Sequence, residues 1–181
     1  MKKIIDLGLI GETAVSLELM KKGLDVININ TVYRNYKNAD LICLNANNGK
    51  SVMIQVKTGT THNILTGFTS ELDDGTIPNI EASVIGPWVF VKTDKNFKTM
   101  NFYVLTKEEV IELISSSNKW YVTEWNRELK SKPMIGIEVD WLEGNSSAAS
   151  KPNAKIQHPE YKSTLSETSR DKWEKITDLL D

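Results

Sequence analysis

The sequence predicts a mixed α/β fold, with a central sheet flanked by helices. Three observations lead there. Two apolar runs, Leu41-Ile42-Cys43-Leu44 and Val52-Met53-Ile54-Gln55-Val56, are joined by Asn47-Asn48-Gly49-Lys50. Asn and Gly tolerate the positive φ of a tight hairpin. A second strand pair follows at residues 88–92 (W-V-F-V-K) and 101–105 (N-F-Y-V-L), with Asp94-Lys95-Asn96 as its turn. Apolar residues at helical spacing mark residues 9–22 and 106–114, on either side of these strands.

In the first helix Ile10, Ala14, Leu17 and Met20 form the main stripe, and Val15 and Leu19 widen it. Lys21-Lys22-Gly23 ends it, with cations near the negative end of the dipole and Gly just beyond. Gly11-Glu12 opens the helix, which puts Glu12 in the first turn, where a carboxylate complements the dipole. Residues 25–30 (D-V-I-N-I-N) read as a short strand. The next segment interleaves Tyr33, Arg34, Tyr36 and Lys37. It is either a contact for a phosphate backbone and a base, or a connecting loop with half-buried tyrosines.

Residues 59–87 hold Gly59, Gly67, Gly75, Pro78, Gly86 and Pro87, a long connection with short helical turns expected near 64–72 or 79–85. Such a loop would rim a site and govern substrate choice. Thr106-Lys107-Glu108-Glu109 is a capping box, and Val110, Ile111, Leu113 and Ile114 carry the helix on. Residues 118–143 are rich in aromatics (Trp120, Tyr121, Trp125, Trp141), with a strand-like stretch at 134–139. They are an extension of the core, a dimer surface or a nucleic-acid contact; we take the first as the default, so that one domain spans 1–143. Residues 144–164 form a small, polar linker. Residues 165–181 are expected to be an amphipathic helix, capped by Thr164-Leu165-Ser166-Glu167, with Leu165, Trp173, Ile176 and Leu180 on one side. It would dock on its own domain or on another chain, as in a homodimer.

The 181 residues are 40% apolar and 25% charged, ordinary for a globular protein. No run approaches the roughly 18 apolar residues of a membrane span. Residues 1–6 lack the apolar core of a signal peptide. The one cysteine, Cys43, excludes an internal disulfide and reads as a buried structural thiol. A cytoplasmic location is the expectation. A net charge of −2 gives no support for strong nonspecific DNA binding. Residues 1–60, however, hold eight Lys/Arg against five Asp/Glu, which permits a nucleic-acid partner.

The chemistry sits in the first hairpin. Asp40 opens one strand, and Gln55 and Lys57, two apart on the next, share a face. Burying a carboxylate, an amide and an ammonium is costly unless they satisfy one another or bind something. Asp and Gln oxygens are hard ligands for Mg²⁺, and a Lys can polarise a water or offset charge on a phosphoryl group. The alternative is a surface hairpin with three ordinary polar residues. Thr58 would hold the Lys or a ligand water. His62 is either a proton-transfer group or simply exposed.

The order G-E-x-x-A on a helix, then Gly23, a strand, Asp40 on a strand and Gln55-Val56-Lys57 resembles the PD-(D/E)XK nuclease superfamily, which includes Holliday junction resolvases and Mrr-like nucleases. The resemblance covers roughly residues 9–60, and more loosely extends to about 117. It implies a restriction-endonuclease-like αβββαβ core, which the C-terminal helical tail read above would follow, and hydrolysis of DNA phosphodiester bonds with Mg²⁺, for which Mn²⁺ substitutes. It assigns Glu12, Asp40 and Gln55 to the metal, with the Val56 carbonyl as a further ligand, and Lys57 to the attacking water. Two departures stand out. Asn38-Ala39-Asp40 lacks the proline of the name, and Gln55 replaces the usual glutamate, as in Mrr-type variants, which lowers metal affinity. The rival expectation is a catalytically inactive nuclease-fold module that binds nucleic acid or a protein partner. The acidic total charge, Gln55 and the Trp-rich C-terminal half favour it, and the presence of both Asp40 and Lys57 opposes it.

Overall fold

The computed structural model describes residues 6–33, 36–61, 63–69, 76–123, 134–138, 165 and 167–181. In chain order the elements are α1 (Leu7–Met20), β1 (Asp25–Asn28), α2 (Ile29–Val32), β2 (Leu41–Leu44), β3 (Ser51–Gly59), β4 (Asn63–Thr69), α3 (Ile80–Ser83), β5 (Trp88–Thr93), β6 (Met100–Leu105), α4 (Lys107–Thr123), β7 (Met134–Glu138) and α5 (Glu174–Thr177). Arg34, His62, Trp125, Trp141, Val139 and the linker at 144–164 lie outside the described residues.

Five strands form a mixed sheet in the order β1-β2-β3-β5-β6. β3 and β5 run parallel, and the other neighbours are antiparallel. The expected hairpin makes its centre. Gly49 adopts φ +74° and donates its N–H to the Asn45 carbonyl at 2.8 Å, while the Asn45 side chain accepts from the Asn47 N–H. The hairpin is buried on both faces only at Ile54, Gln55 and Val56; Ile42 and Leu44 are half-buried and Met53 is exposed. Two layers cover the sheet. On one side α1 sets Val15 and Leu19 against Leu41, Cys43, Ile54 and Val89. On the other, α4 and the separate β4–β7 pair cover Trp88, Phe90, Tyr103 and Leu105. Cys43 is fully buried, and burial pushes its thiol up to about 11.

α1 differs from expectation in two ways. Asp6 caps it, accepting from the Leu9 N–H at 3.1 Å, so the helix starts at Leu7 and Glu12 lies in its middle. The dipole role expected of Glu12 therefore falls away. The buried stripe is also rotated: Gly11, Glu12, Val15 and Leu19 face the sheet, while Leu17 and Met20 are exposed. Gly11 is the physical reason. A Cβ there would overlap the Thr58 side chain, so the glycine marks the line along which helix and β3 approach most closely.

Two further expectations change. Residues 64–69 form a strand, not a helical turn: Ile64 and Thr66 point inward and Leu65 outward, a period of two. Their partner β7 comes from far along the chain, so no local turn announces the pair. The second expected turn does form, as α3. Among the described residues of the C-terminus the expected long helix is not formed, and helix is confined to α5. Strand-like pairing wins there instead. Arg170 bridges Tyr103, the Val104 N–H donates to the Ser169 carbonyl, and the Asp171 N–H donates to the Phe102 carbonyl, each bond 2.8 Å. The segment wraps the β6 edge, with Leu165 in one core and Trp173, Ile176 and Leu180 in the other. It docks on its own domain. The Leu180 carbonyl even accepts from Asn45 and Asn48 in the hairpin turn, at 3.1 and 2.6 Å. The α4 capping box forms as expected: the Thr106 N–H donates to Glu109, and the Glu109 N–H to the Thr106 hydroxyl. Among the described residues no helix is long and apolar enough to cross a membrane.

Trp173 is buried and packs against Phe102 at 5.4 Å between ring centroids. Trp173→Ala should therefore lower the unfolding free energy by about 3–5 kcal/mol in urea denaturation. Leu179→Ala, at an exposed position of the same segment, should stay within about 0.5 kcal/mol of wild type.

Candidate functional site

The site is built around Asp40. Its backbone is held from both sides: its N–H donates to the Ile54 carbonyl at 2.9 Å, and its carbonyl accepts from the Ile29 N–H at 2.8 Å. The side chain is therefore aimed by β3 on one flank and α2 on the other. Oδ2 accepts from the Val56 N–H at 2.8 Å and from Gln55 Nε2. Oδ1 accepts from Asn30 Nδ2 at 3.0 Å. An ionised carboxylate only accepts, so Gln55 must turn its NH₂ to Asp40, which leaves Oε1 pointing elsewhere. Val56 likewise meets Asp40 through its N–H. Asp40 and Gln55 are 8% and 7% exposed, which overturns the surface-hairpin alternative.

Glu12 reaches the cluster from α1. It is buried, and both its oxygens are occupied: Oε2 accepts from Asn28 Nδ2 at 2.7 Å and Oε1 from Asn30 Nδ2 at 3.1 Å. Burial raises its pKa, and the nearby Asp40 charge adds to the rise against the hydrogen bonds from Asn28 and Asn30. The bridging amide of Asn30 thus joins two carboxylates that the sequence places on different elements.

Lys57 lies on the Gln55 face, where β5 sets Trp88 opposite Gln55. Its Nζ sits 5.4 Å from the centre of the Trp88 ring, in cation–π range. Gly67 of β4, at φ +92°, passes above; a Cβ there would stand 3.7 Å from Nζ. Burial lowers the Lys57 pKa, while Asp40 and then Glu12 pull it back up. Among the described residues Lys57 makes no direct ion pair with either carboxylate. Thr58 is next along the strand and faces α1 instead, so it does not hold Lys57; its hydroxyl is buried under Gly11 without a hydrogen-bond partner. Tyr33 and Tyr36 are exposed rather than half-buried.

The four residues Glu12, Asp40, Gln55 and Lys57 are thus brought to one region, and Asn28, Asn30, Trp88 and Gly67 join them unannounced. A signal for the asparagines was present: N-I-N ends an apolar strand with two amides where apolar residues are the norm. Asn28 is also the cap of α2, its Oδ1 accepting from the Asn30 N–H at 2.9 Å, and this turns its Nδ2 toward Glu12.

Among the described residues no three His, Cys, Asp or Glu side chains group together as metal ligands. The oxygens that meet here are those of two carboxylates, since Gln55 and Val56 turn N–H groups to Asp40. That chemistry suits Mg²⁺, which takes one or two carboxylates and keeps several waters. Glu12 Oε1 and Asp40 Oδ1 already converge on one point, the Asn30 nitrogen. No family model matches the chain, and no curated protein or solved structure matches it.

The two shifts give opposite pH slopes. Glu12 binds its proton more tightly in the fold than in the unfolded chain, so its contribution to stability is full below 4.5 and is lost as pH rises above it. Lys57 binds its proton less tightly in the fold, so its contribution is full above 10.5 and is lost as pH falls below it. Relative to wild type, Glu12→Gln should lose less stability as pH rises from about 4.5. Lys57→Met should gain less as pH approaches about 10.5. Urea denaturation over about pH 4 to 10 reads both slopes.

Proposed function

We propose that the chain is a metal-dependent endonuclease-like protein that hydrolyses DNA phosphodiester bonds, on a restriction-endonuclease-like core. The observation that carries the reading is the convergence of buried Glu12, Asp40 and Gln55 with half-buried Lys57. The order α1-β1-β2-β3, with β5 added parallel to β3, supports the core. The crossover between β3 and β5 departs from an αβββαβ arrangement: it carries β4 and the four-residue α3 in place of a long helix.

Asp40 and Glu12 would hold Mg²⁺ or Mn²⁺, joined by the Val56 carbonyl and by Gln55 once its amide turns its oxygen inward. When bound, the cation supplies positive charge against the scissile phosphate. Hydrolysis joins a water oxygen to phosphorus, breaks one bond from phosphorus to a sugar oxygen, and leaves that oxygen to take up a proton. Lys57 orients the water and, as an ammonium, donates to the phosphoryl oxygens where charge builds. Its lowered pKa brings the neutral amine, which can accept the water's proton, closer to working pH. Trp88 beneath it and Gly67 above fix the ammonium without crowding it. The exposed Tyr33 and Tyr36 lie on the segment leading to Asp40, where they can stack on bases of the bound DNA.

A second reading, an inactive nuclease-fold module that binds nucleic acid or protein, draws on one observation: Asp40 Oδ2 is satisfied internally by Gln55 and Val56. Cleavage decides between them. Supercoiled plasmid, branched and single-stranded oligonucleotides are incubated with Mg²⁺, Mn²⁺ or EDTA. We expect cation-dependent cutting, reduced at least about a hundredfold in both Asp40→Ala and Lys57→Ala. Absence of cutting by a folded wild-type protein, or full activity in either variant, rejects the nuclease.

A further inference from the structure

Each carboxylate oxygen of the cluster already has a partner, and every partner is a neutral N–H. Glu12 Oε2 has Asn28, Asp40 Oδ2 has Gln55 and Val56, and the two remaining oxygens share Asn30 Nδ2. The amide has two hydrogens, and the two bonds, at 3.1 and 3.0 Å, use both. Such donors solvate the two negative charges but do not cancel them. A cation bridging Glu12 Oε1 and Asp40 Oδ1 takes the place between them that the Asn30 nitrogen now fills.

Asn30 is also placed to give way. It sits in α2, a helix of four residues, with Val32 and Tyr33 at its end 78% and 71% exposed. By contrast, Asp40 is pinned by backbone bonds to Ile54 and Ile29, and Glu12 is fixed on a fourteen-residue helix. When a cation enters, the carboxylates stay and the amide moves.

We propose that Asn30 is a positioning residue that stands in for the cation: in the cation-free protein its Nδ2 clamps Glu12 to Asp40, and a divalent cation displaces it. The inference rests on the metal-site reading above and adds what sets the affinity of that site. Every binding event must break the two amide bonds, so removing the amide strengthens binding, contrary to the usual effect of deleting a polar residue from a site. A residue that merely braces the scaffold, or that ligates the metal, would weaken binding when removed.

The test uses the full chain and Mn²⁺ alone, with binding followed by calorimetry and by the free-Mn²⁺ resonance signal. Wild type is expected to bind, Asn30→Ala to bind about tenfold tighter, and Asn30→Asp tighter still through its added carboxylate. Unchanged or weaker binding in Asn30→Ala overturns the stand-in while leaving the metal site intact. Absence of binding in wild type and both variants, or binding that survives Asp40→Ala, overturns the metal site itself and the stand-in with it. A wild-type measurement covers a variant that does not fold. Addition of Mg²⁺ to ¹⁵N-labelled protein should shift the Asn30 side-chain amide resonance and speed its hydrogen exchange. A resonance unmoved at saturating Mg²⁺ overturns the proposal.

Discussion

Two buried carboxylates, one on α1 and one where β2 begins, with neutral N–H groups as their hydrogen-bond partners, are the constraint to which the rest of this fold answers. Neither would be tolerated without those donors, since a buried charge with unfilled lone pairs is among the most destabilising features a fold can contain. The donors come from several elements: Asn28 at the end of β1, Asn30 in α2, Gln55 and the Val56 N–H in β3. Satisfying Glu12 and Asp40 therefore fixes how these elements meet. The local cluster and the topology of that half of the sheet are one problem with one solution.

The helix position follows from the same requirement. Glu12 reaches Asn28 and Asn30 because α1 lies close against β3, and it lies close because position 11 lacks a side chain. Lys57 is handled differently. Its charge rests over the Trp88 ring, away from direct contact with the acids, and burial weakens its hold on a proton. The cluster thus keeps its cationic group separate from its anionic pair.

Much of the sheet was legible in the sequence because its signals are local. The N-N-G turn, the D-K-N turn and the T-x-x-E cap each announce an element within a few residues, and each formed. The site was legible only as far as spacing goes. Gln55 and Lys57 share a face by strand periodicity, and Asp40 opens the neighbouring strand. Asn30 was legible only as an amide closing an apolar run; its role was not, because that depends on α2 turning the amide back between two distant carboxylates. The strand read at 134–139 forms as β7, but β4 and its pairing with β7 escaped, because no turn marks a register between segments so far apart. The C-terminal stripe of Leu165, Trp173, Ile176 and Leu180 was correctly seen as apolar and wrongly given one face. Periodicity cannot reveal a segment that pairs with a strand edge and serves two cores at once.

That C-terminal segment has a kinetic consequence. The bonds from Asn45 and Asn48 to the Leu180 carbonyl join residues 135 and 132 apart in sequence. Closing so large a loop adds only slowly to the entropy of folding, because the cost grows with the logarithm of length. Contacts of such long range nonetheless slow the search for the native state. The β2–β3 hairpin can assemble early from neighbouring residues, while its fastening waits on the far end of the chain. In that interval the pocket for Trp173, Ile176 and Leu180 is an open apolar surface, prone to pairing with another unfinished molecule.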